Sequence, residues 1–197
     1  SVNSRNRRFR NDGDRLWTEP VDEGKVSDPS LIIYDAMLET AGCQLVSNGD
    51  QTTTISEHLL AGKSFAQALD TREREPDEPN YTPRISGMID FRADIPSISL
   101  SIIKANTCDP SRSDRTTFCP ATPLAGIGYG LTTYMQDGSP LPSFKGDPLL
   151  LPLPGTANDI LDLYWNALDT GNKVSLAIKE ISPKGKCLKI AIANNHA

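Results

Sequence analysis

Two polar stretches carry the side chains best suited to chemistry. The first runs Val46-Ser47-Asn48-Gly49-Asp50-Gln51-Thr52-Thr53-Thr54 and the second Asn80-Tyr81-Thr82-Pro83-Arg84-Ile85-Ser86-Gly87. Together they offer backbone amides, an amide side chain, hydroxyls and a guanidinium, a set that suits one small anionic ligand. Arg5, Arg7, Arg8 and Arg10 add guanidinium forks early in the chain. These read either as a phosphate or carboxylate clamp or as a solvated basic arm. Glu73, Glu75, Asp77 and Glu78 fall in the charged, proline-rich segment 71–83, where a solvent-facing carboxylate is the simplest reading. Arg84 opens a strand, and Asp50 or Asp90 is available to pair with it.

The elements that must position these groups follow from capping and periodicity. Arg15 to Thr18 reads as a short strand. Asp28-Pro29-Ser30 is a helix start, with Leu31, Tyr34 and Leu38 on one face and Gly42 as the terminating residue. Tyr34 then lies on the buried side, as a core tyrosine or as a pocket residue. Cys43 to Ser47 is a strand ending in the Asn48-Gly49 turn signal. Thr54/Glu57 and Ser64/Gln67 have capping-box spacing for two short helices, the first stopping at Gly62.

The second half is β-rich. Arg84 to Phe91 and Ile98 to Lys104 read as neighbouring strands, followed by a long loop, Asn106 to Ala121, with Arg112 and Arg115. Gly126 to Tyr134 is a strand punctuated by glycines, which signal a bulge or a close backbone approach. Residues 137–148 form a Pro/Gly loop. Thr156 caps a helix with Ile160, Leu161, Tyr164, Trp165 and Leu168 facing the core, and Lys173–Ile181 with Lys186–Ala193 makes a hairpin. This order is that of a layered α+β protein with mostly antiparallel strands.

Composition narrows the functional classes. The 197 residues, 38% hydrophobic and 23% charged, are those of one soluble globular domain. A net charge of −5 is the wrong sign for a nucleic-acid binder. The uncharged stretch Thr116 to Gln136 is too polar and too rich in Pro and Gly to span a membrane. Cys43, Cys108, Cys119 and Cys187 have irregular spacing and no C-x-x-C pair, which argues against zinc. Cys108 and Cys119 have the placement to close a loop, but reduced cytosolic thiols are the better reading.

Five segments carry a family resemblance. Ser1-Val2-Asn3-Ser4-Arg5-Asn6-Arg7, Asp28 to Tyr34, Val46 to Thr52, Asn80 to Gly87 and Asp137 to Phe144 resemble the IMP cyclohydrolase family of archaeal type and its bacterial relatives. Order and rough spacing match over most of the chain. The Asn48 to Thr52 and Asn80 to Arg84 elements are the most specific, and the second half matches more loosely. The resemblance implies a four-layer αββα sandwich of the N-terminal-nucleophile hydrolase type, without autoprocessing. It also implies a single domain over residues 1–197 that lacks the first strands and an arginine that other members carry ahead of Ser1. Tyr129 and Thr132 stand where the family pattern leads us to expect histidines.

The activity implied is the closure of 5-formamidoimidazole-4-carboxamide ribotide to inosine monophosphate with loss of water. The expected enzyme is cytoplasmic, homo-oligomeric, free of cofactor and metal, and has no nucleic-acid or membrane partner. Carried over residue by residue, Arg5, Tyr34 and Glu75 are the catalytic candidates. Tyr34 and Glu75 would move protons, and Arg5 would polarise the formyl oxygen or hold phosphate. Asn48, Asp50, Thr52, Thr82 and Arg84 would face the substrate, with Lys104 and Arg115 as further contacts. Two other readings stand beside this one: a homologue that binds purine nucleotides without turnover, and an amidohydrolase using Ser1 as an N-terminal nucleophile.

Overall fold

The computed structural model describes residues 5–26, 29 and 32–196. Ser1 and the Asp28 cap lie outside the described residues. Seven strands form one antiparallel sheet in sequence order. They are β1 (Arg7–Asp12), β2 (Arg15–Pro20), β3 (Asp35–Thr40), β4 (Cys43–Ser47), β5 (Arg84–Asp90), β6 (Ser97–Ala105) and β7 (Ser113–Phe118). Every neighbouring pair is antiparallel, so successive connections leave from opposite strand ends. One rim, here the lower, carries the tight turns at Gly13 and at Ala41-Gly42, and the connection 91–96. The upper rim carries the segment before β1, the 21–34 connection, the long 48–83 excursion and the 106–112 loop.

Three expectations are corrected by this sheet. The helix ending at Gly42 is not formed, because residues 35–40 are strand β3. Met37 pairs with Leu16 on one side and with Val46 on the other. Ala41 (φ 48°) and Gly42 (φ 75°) are the two positive-φ residues of a hairpin turn between β3 and β4. The helical preference of Ala36-Met37-Leu38-Glu39 is overridden by hydrogen-bond ladders on both sides of a central strand. Residues 7–12, read as a polar arm, are strand β1, in which Arg8 and Arg10 both reach the cross-strand Glu19 (2.6 and 2.8 Å). Residues 113–118, read as loop, are β7, whose Ser113 to Phe118 pair with Ala105 to Leu100.

Helix α1 (Gln51–Leu60) starts earlier than the Thr54 box predicts, with Asp50 at its N-cap position. Asp50 makes no capping bond there, since its carboxylate is engaged by two arginines (below). Helix α2 (Phe65–Leu69) has the expected Ser64/Gln67 capping box. The two helices bury Ile55, Leu59, Phe65, Ala68 and Leu69 against Cys43, Leu45, Met88 and Ile103 of the sheet. Each such aliphatic or aromatic side chain contributes about 1.5–3 kcal/mol when fully buried.

A third helix, α3 (Ala157–Ala167), has Thr156/Asp159 as its capping box and packs on a hairpin of β10 (Ser175–Ile181) and β11 (Cys187–Asn194). Leu168, expected on its core stripe, is 40% exposed, because the helix ends at Ala167 and the chain turns away. The hairpin lies against β1, where the Asn194 amide accepts from Phe9 N–H (2.9 Å) and donates to Phe9 C=O (3.2 Å). A two-stranded ribbon, β8 (Ile127–Gly130) with β9 (Leu149–Pro152), completes the fold. A Cβ on Gly128 would stand 2.6 Å from Leu153 Cδ1, which is the close approach its position suggested. The architecture is α+β, with a large antiparallel sheet and few helices. No helix among the described residues is long and apolar enough to cross a membrane. All four cysteines are free.

Candidate functional site

The upper rim collects the ionisable side chains. Arg84, at the first position of β5, is only 9% exposed and spreads its guanidinium over several oxygens. Its Nε donates to Glu73 C=O (2.9 Å), and its Nη1 donates to Asp50 Oδ1 (2.7 Å) and Gln51 Oε1 (3.0 Å). Arg72 holds the same Asp50 oxygen at 2.5 Å. Burial works against the Asp50 anion, but the two arginines outweigh it and hold its carboxyl below the usual aspartate range. Gly49 permits this crowding: a Cβ there would stand 2.7 Å from Gln51 Oε1 and 2.9 Å from Arg84 Nη1. Its φ is not in the left-handed region, so space is the requirement and the turn is not.

Glu75 closes the group. Its Oε1 lies 2.9 Å from Arg84 Nη1, and its buried Oε2 has no hydrogen-bond partner. Burial pushes the carboxyl above the usual glutamate range; Arg84 opposes this, while Asp50 and Asp77 add to it. Two residues earlier Glu73 behaves oppositely. Exposed and bonded by Ser113 and Arg115, it is held below that range. Beside Glu75, the Thr82 hydroxyl lies 2.5 Å from Asp77 Oδ2 and 2.7 Å from the Tyr134 hydroxyl. Burial raises Tyr134, with the Thr82 bond opposing and the charges of Asp77 and Glu75 adding.

Tyr34 precedes β3 on the same rim. Its hydroxyl accepts from Arg7 Nη1 (3.3 Å). Burial raises this phenol, Arg7 opposes the rise, and the Glu75 charge adds to it. Tyr34 walls two adjoining cavities. One, of about 380 Å³, is cationic and lined by Arg5, Arg7, Arg8, Thr18, Asn172 and Ser175 among others. The other, of about 430 Å³, is mostly apolar and runs over the sheet face opposite α1 and α2, past Val46, Gly87, Leu100, Tyr129 and Leu176. Both volumes suit small-molecule sites. Across the cationic cavity Arg5 donates to Asn172 Oδ1, a contact spanning 167 residues of sequence.

The IMP cyclohydrolase-like protein family matches residues 1–185. The chain belongs to that family. No curated protein matches it.

Of the family-derived candidates, Arg5 and Tyr34 share the cationic cavity, and Glu75, Asp50, Arg84 and Thr82 form the charged cluster on the same rim. Arg84 pairs with Asp50 and Glu75 and not with Asp90, which Arg92 holds at 2.6 Å. Asn48 lines the apolar cavity, yet its amide is used internally: it donates to Pro83 C=O (2.9 Å) and accepts from Ile85 N–H (2.9 Å) and Gln51 Nε2 (3.0 Å). Thr52 is fully buried in α1, with its hydroxyl on Gly49 C=O (3.2 Å). Lys104 Nζ donates to Phe144 C=O (3.0 Å). Arg115 pins the end of α2 through Leu69 and Arg72 carbonyls and pairs with Glu73.

Sequence reasoning did not single out Tyr134 or Asn172 as site residues, and it offered Arg7 only as one of four arginines that could form a clamp. Reading 7–12 as a strand sharpens Arg7, because alternation sets it on one face with Phe9 and sets Arg8 and Arg10 on the other, where both meet Glu19 and Arg8 also borders the cavity. Asn172 carries no local signal, since only the folded chain brings it to Arg5.

Proposed function

We propose that this protein closes 5-formamidoimidazole-4-carboxamide ribotide to inosine monophosphate. The carboxamide nitrogen attacks the formyl carbon, forming the N–C bond of the new ring. The formyl oxygen then departs as water, with one proton from the carboxamide nitrogen and one from the formamido nitrogen. Such a reaction needs an acid for the departing oxygen, a relay for the nitrogen protons, and an anchor for the phosphate. It needs no covalent nucleophile; holding the two substituents in attack geometry supplies much of the acceleration.

The observation that carries this reading is Glu75, a buried carboxyl with an unpartnered oxygen and a raised pKa, on the rim that also holds Tyr34. Glu75 is the acid at the leaving oxygen, and Tyr34 relays protons. The cationic cavity of Arg5 and Arg7 takes the phosphate, and the apolar cavity beyond Tyr34 takes the ring. The layering supports a four-layer αββα arrangement of the N-terminal-nucleophile hydrolase type. Helices α1 and α2 cover one sheet face, the β10–β11 hairpin lies over the other, and α3 covers the hairpin. The reading includes a cytoplasmic homo-oligomer that works without a cofactor.

The test is direct. The purified protein is incubated with the formamido ribotide, and inosine monophosphate is followed by absorbance. Turnover that is lost in Glu75→Gln while inosine monophosphate still binds supports the assignment. Binding without turnover in the wild-type protein overturns it in favour of a nucleotide-binding role.

A further inference from the structure

The charges around Glu75 come from every element packed on it. Arg84 enters from the start of β5, Asp50 from the N-cap of α1, and Arg72 and Asp77 from the loop itself. Tyr34 and Tyr134 face it from the segments before β3 and after β8. Arg84 Nη1 has only two hydrogens to give. Both are directed elsewhere, to Asp50 Oδ1 at 2.7 Å and Gln51 Oε1 at 3.0 Å, and Nε–H goes to Glu73 C=O. Glu75 Oε1 thus sits 2.9 Å from a nitrogen that points no hydrogen at it, and Oε2 has no partner at all. A carboxylate oxygen taken out of water needs hydrogen bonds, and the buried Oε2 receives none. A neutral carboxyl needs fewer.

We propose that Asp50 is a positioning residue that keeps Glu75 in its neutral, proton-donating form by taking the Arg84 hydrogen that a glutamate anion would otherwise accept. Asp50 acts in two ways that agree in sign. It withdraws a hydrogen bond from the anion, and it places a second negative charge beside it. Arg72 pulls Asp50 from the other side at 2.5 Å and is itself a cation that favours ionised Glu75. The arrangement itself does not depend on the proposed reaction. Only its kinetic consequence rests on Glu75 being the acid.

The test is a carboxyl titration of the full protein labelled with δ-¹³C-glutamate, with the Glu75 resonance assigned by its loss in Glu75→Gln. Wild-type Glu75 is expected to titrate above the ordinary glutamate range. Asp50→Asn moves the midpoint to lower pH, and Arg72→Gln moves it to higher pH. In turnover, the fall of kcat with rising pH begins at lower pH in Asp50→Asn, a change that a merely structural role would not produce. An unchanged or higher Glu75 midpoint in Asp50→Asn overturns the proposal. If that variant does not fold, an unchanged or lower midpoint in Arg72→Gln does so. Shifted midpoints in a protein that never closes the ring leave this inference standing and remove the reaction. Ring closure with unmoved midpoints does the reverse.

Discussion

The upper and lower rims of the seven-stranded sheet are built from the same kind of connection and have opposite contents. The lower rim is short and stiff, with positive-φ turns at Gly13 and Ala41-Gly42. The closing hairpin fastens it, through Gln44 Nε2 on Gly185 C=O (2.7 Å) and Lys179 Nζ on Asp14 C=O (2.6 Å). The upper rim is long and charged, and it holds Tyr34, Asp50, Glu75, Thr82 and Arg84. An antiparallel meander sends alternate connections to alternate rims, so one set can lengthen into a site while the other stays a frame. Changes on the upper rim should therefore reach activity, with stability moving in either direction, and changes on the lower rim should touch stability alone.

The sharpest break is Glu75→Gln. Loss of a general acid lowers turnover by about 100-fold or more. The same change should make the fold more stable. Because burial raises the Glu75 carboxyl, the folded state favours its protonated form. That contribution is complete below the unfolded value and is lost as pH rises through the folded one. Glutamine imitates the neutral form throughout. The urea midpoint of the variant should exceed that of the wild type at mildly alkaline pH and meet it in acid.

Arg84→Met tests how much of the upper rim is held by one side chain. It removes the guanidinium that faces Asp50 and Glu75 at 2.7 and 2.9 Å. Leaving Gln51 Oε1 and Glu73 C=O without their Arg84 donor costs about 1–3 kcal/mol, to be read from denaturant unfolding, and turnover should fall as well. Gly49→Ala comes next, with about 1–3 kcal/mol lost from overpacking against Gln51 Oε1 and Arg84 Nη1. On the lower rim, Gly42→Ala puts a Cβ on a residue at φ 75°. We expect a loss of about 1 kcal/mol, with kcat and KM unchanged. A change in kcat there would break the division between the rims.

Much of this was legible before any coordinates. The loops at 46–54 and 80–87 do meet on one rim, the Ser64/Gln67 capping box forms, Thr156 caps its helix, and the closing hairpin lies where its turn residues put it. These signals are local, and local chemistry is written in adjacent residues. What failed was decided at a distance. Residues 35–40 are a strand because β2 and β4 flank them, and the helix expected from the Thr54/Glu57 box starts already at Gln51, after an Asp50 that Arg72 and Arg84 hold from 22 and 34 residues away. The chain does turn at Asn48-Gly49, between β4 and α1, and the glycine also leaves room for the guanidinium packed against it, which no local signal shows. Glu75 looks like any loop acid until the fold buries it.

The two bonds between Phe9 and Asn194 have a consequence for the order in which the molecule comes into being. They join positions 185 residues apart, and the Arg5–Asn172 contact joins positions 167 apart. During synthesis the upper rim's charged cluster, complete by Arg84, leaves the ribosome long before the α3–β10 connection that walls the cationic cavity. Until that connection and then β11 emerge, Arg5 lacks Asn172 and the main-chain groups of β1 at Phe9 lack Asn194. The cationic half of the upper rim is thus completed after the carboxylate cluster, by a piece of chain that takes no part in that cluster.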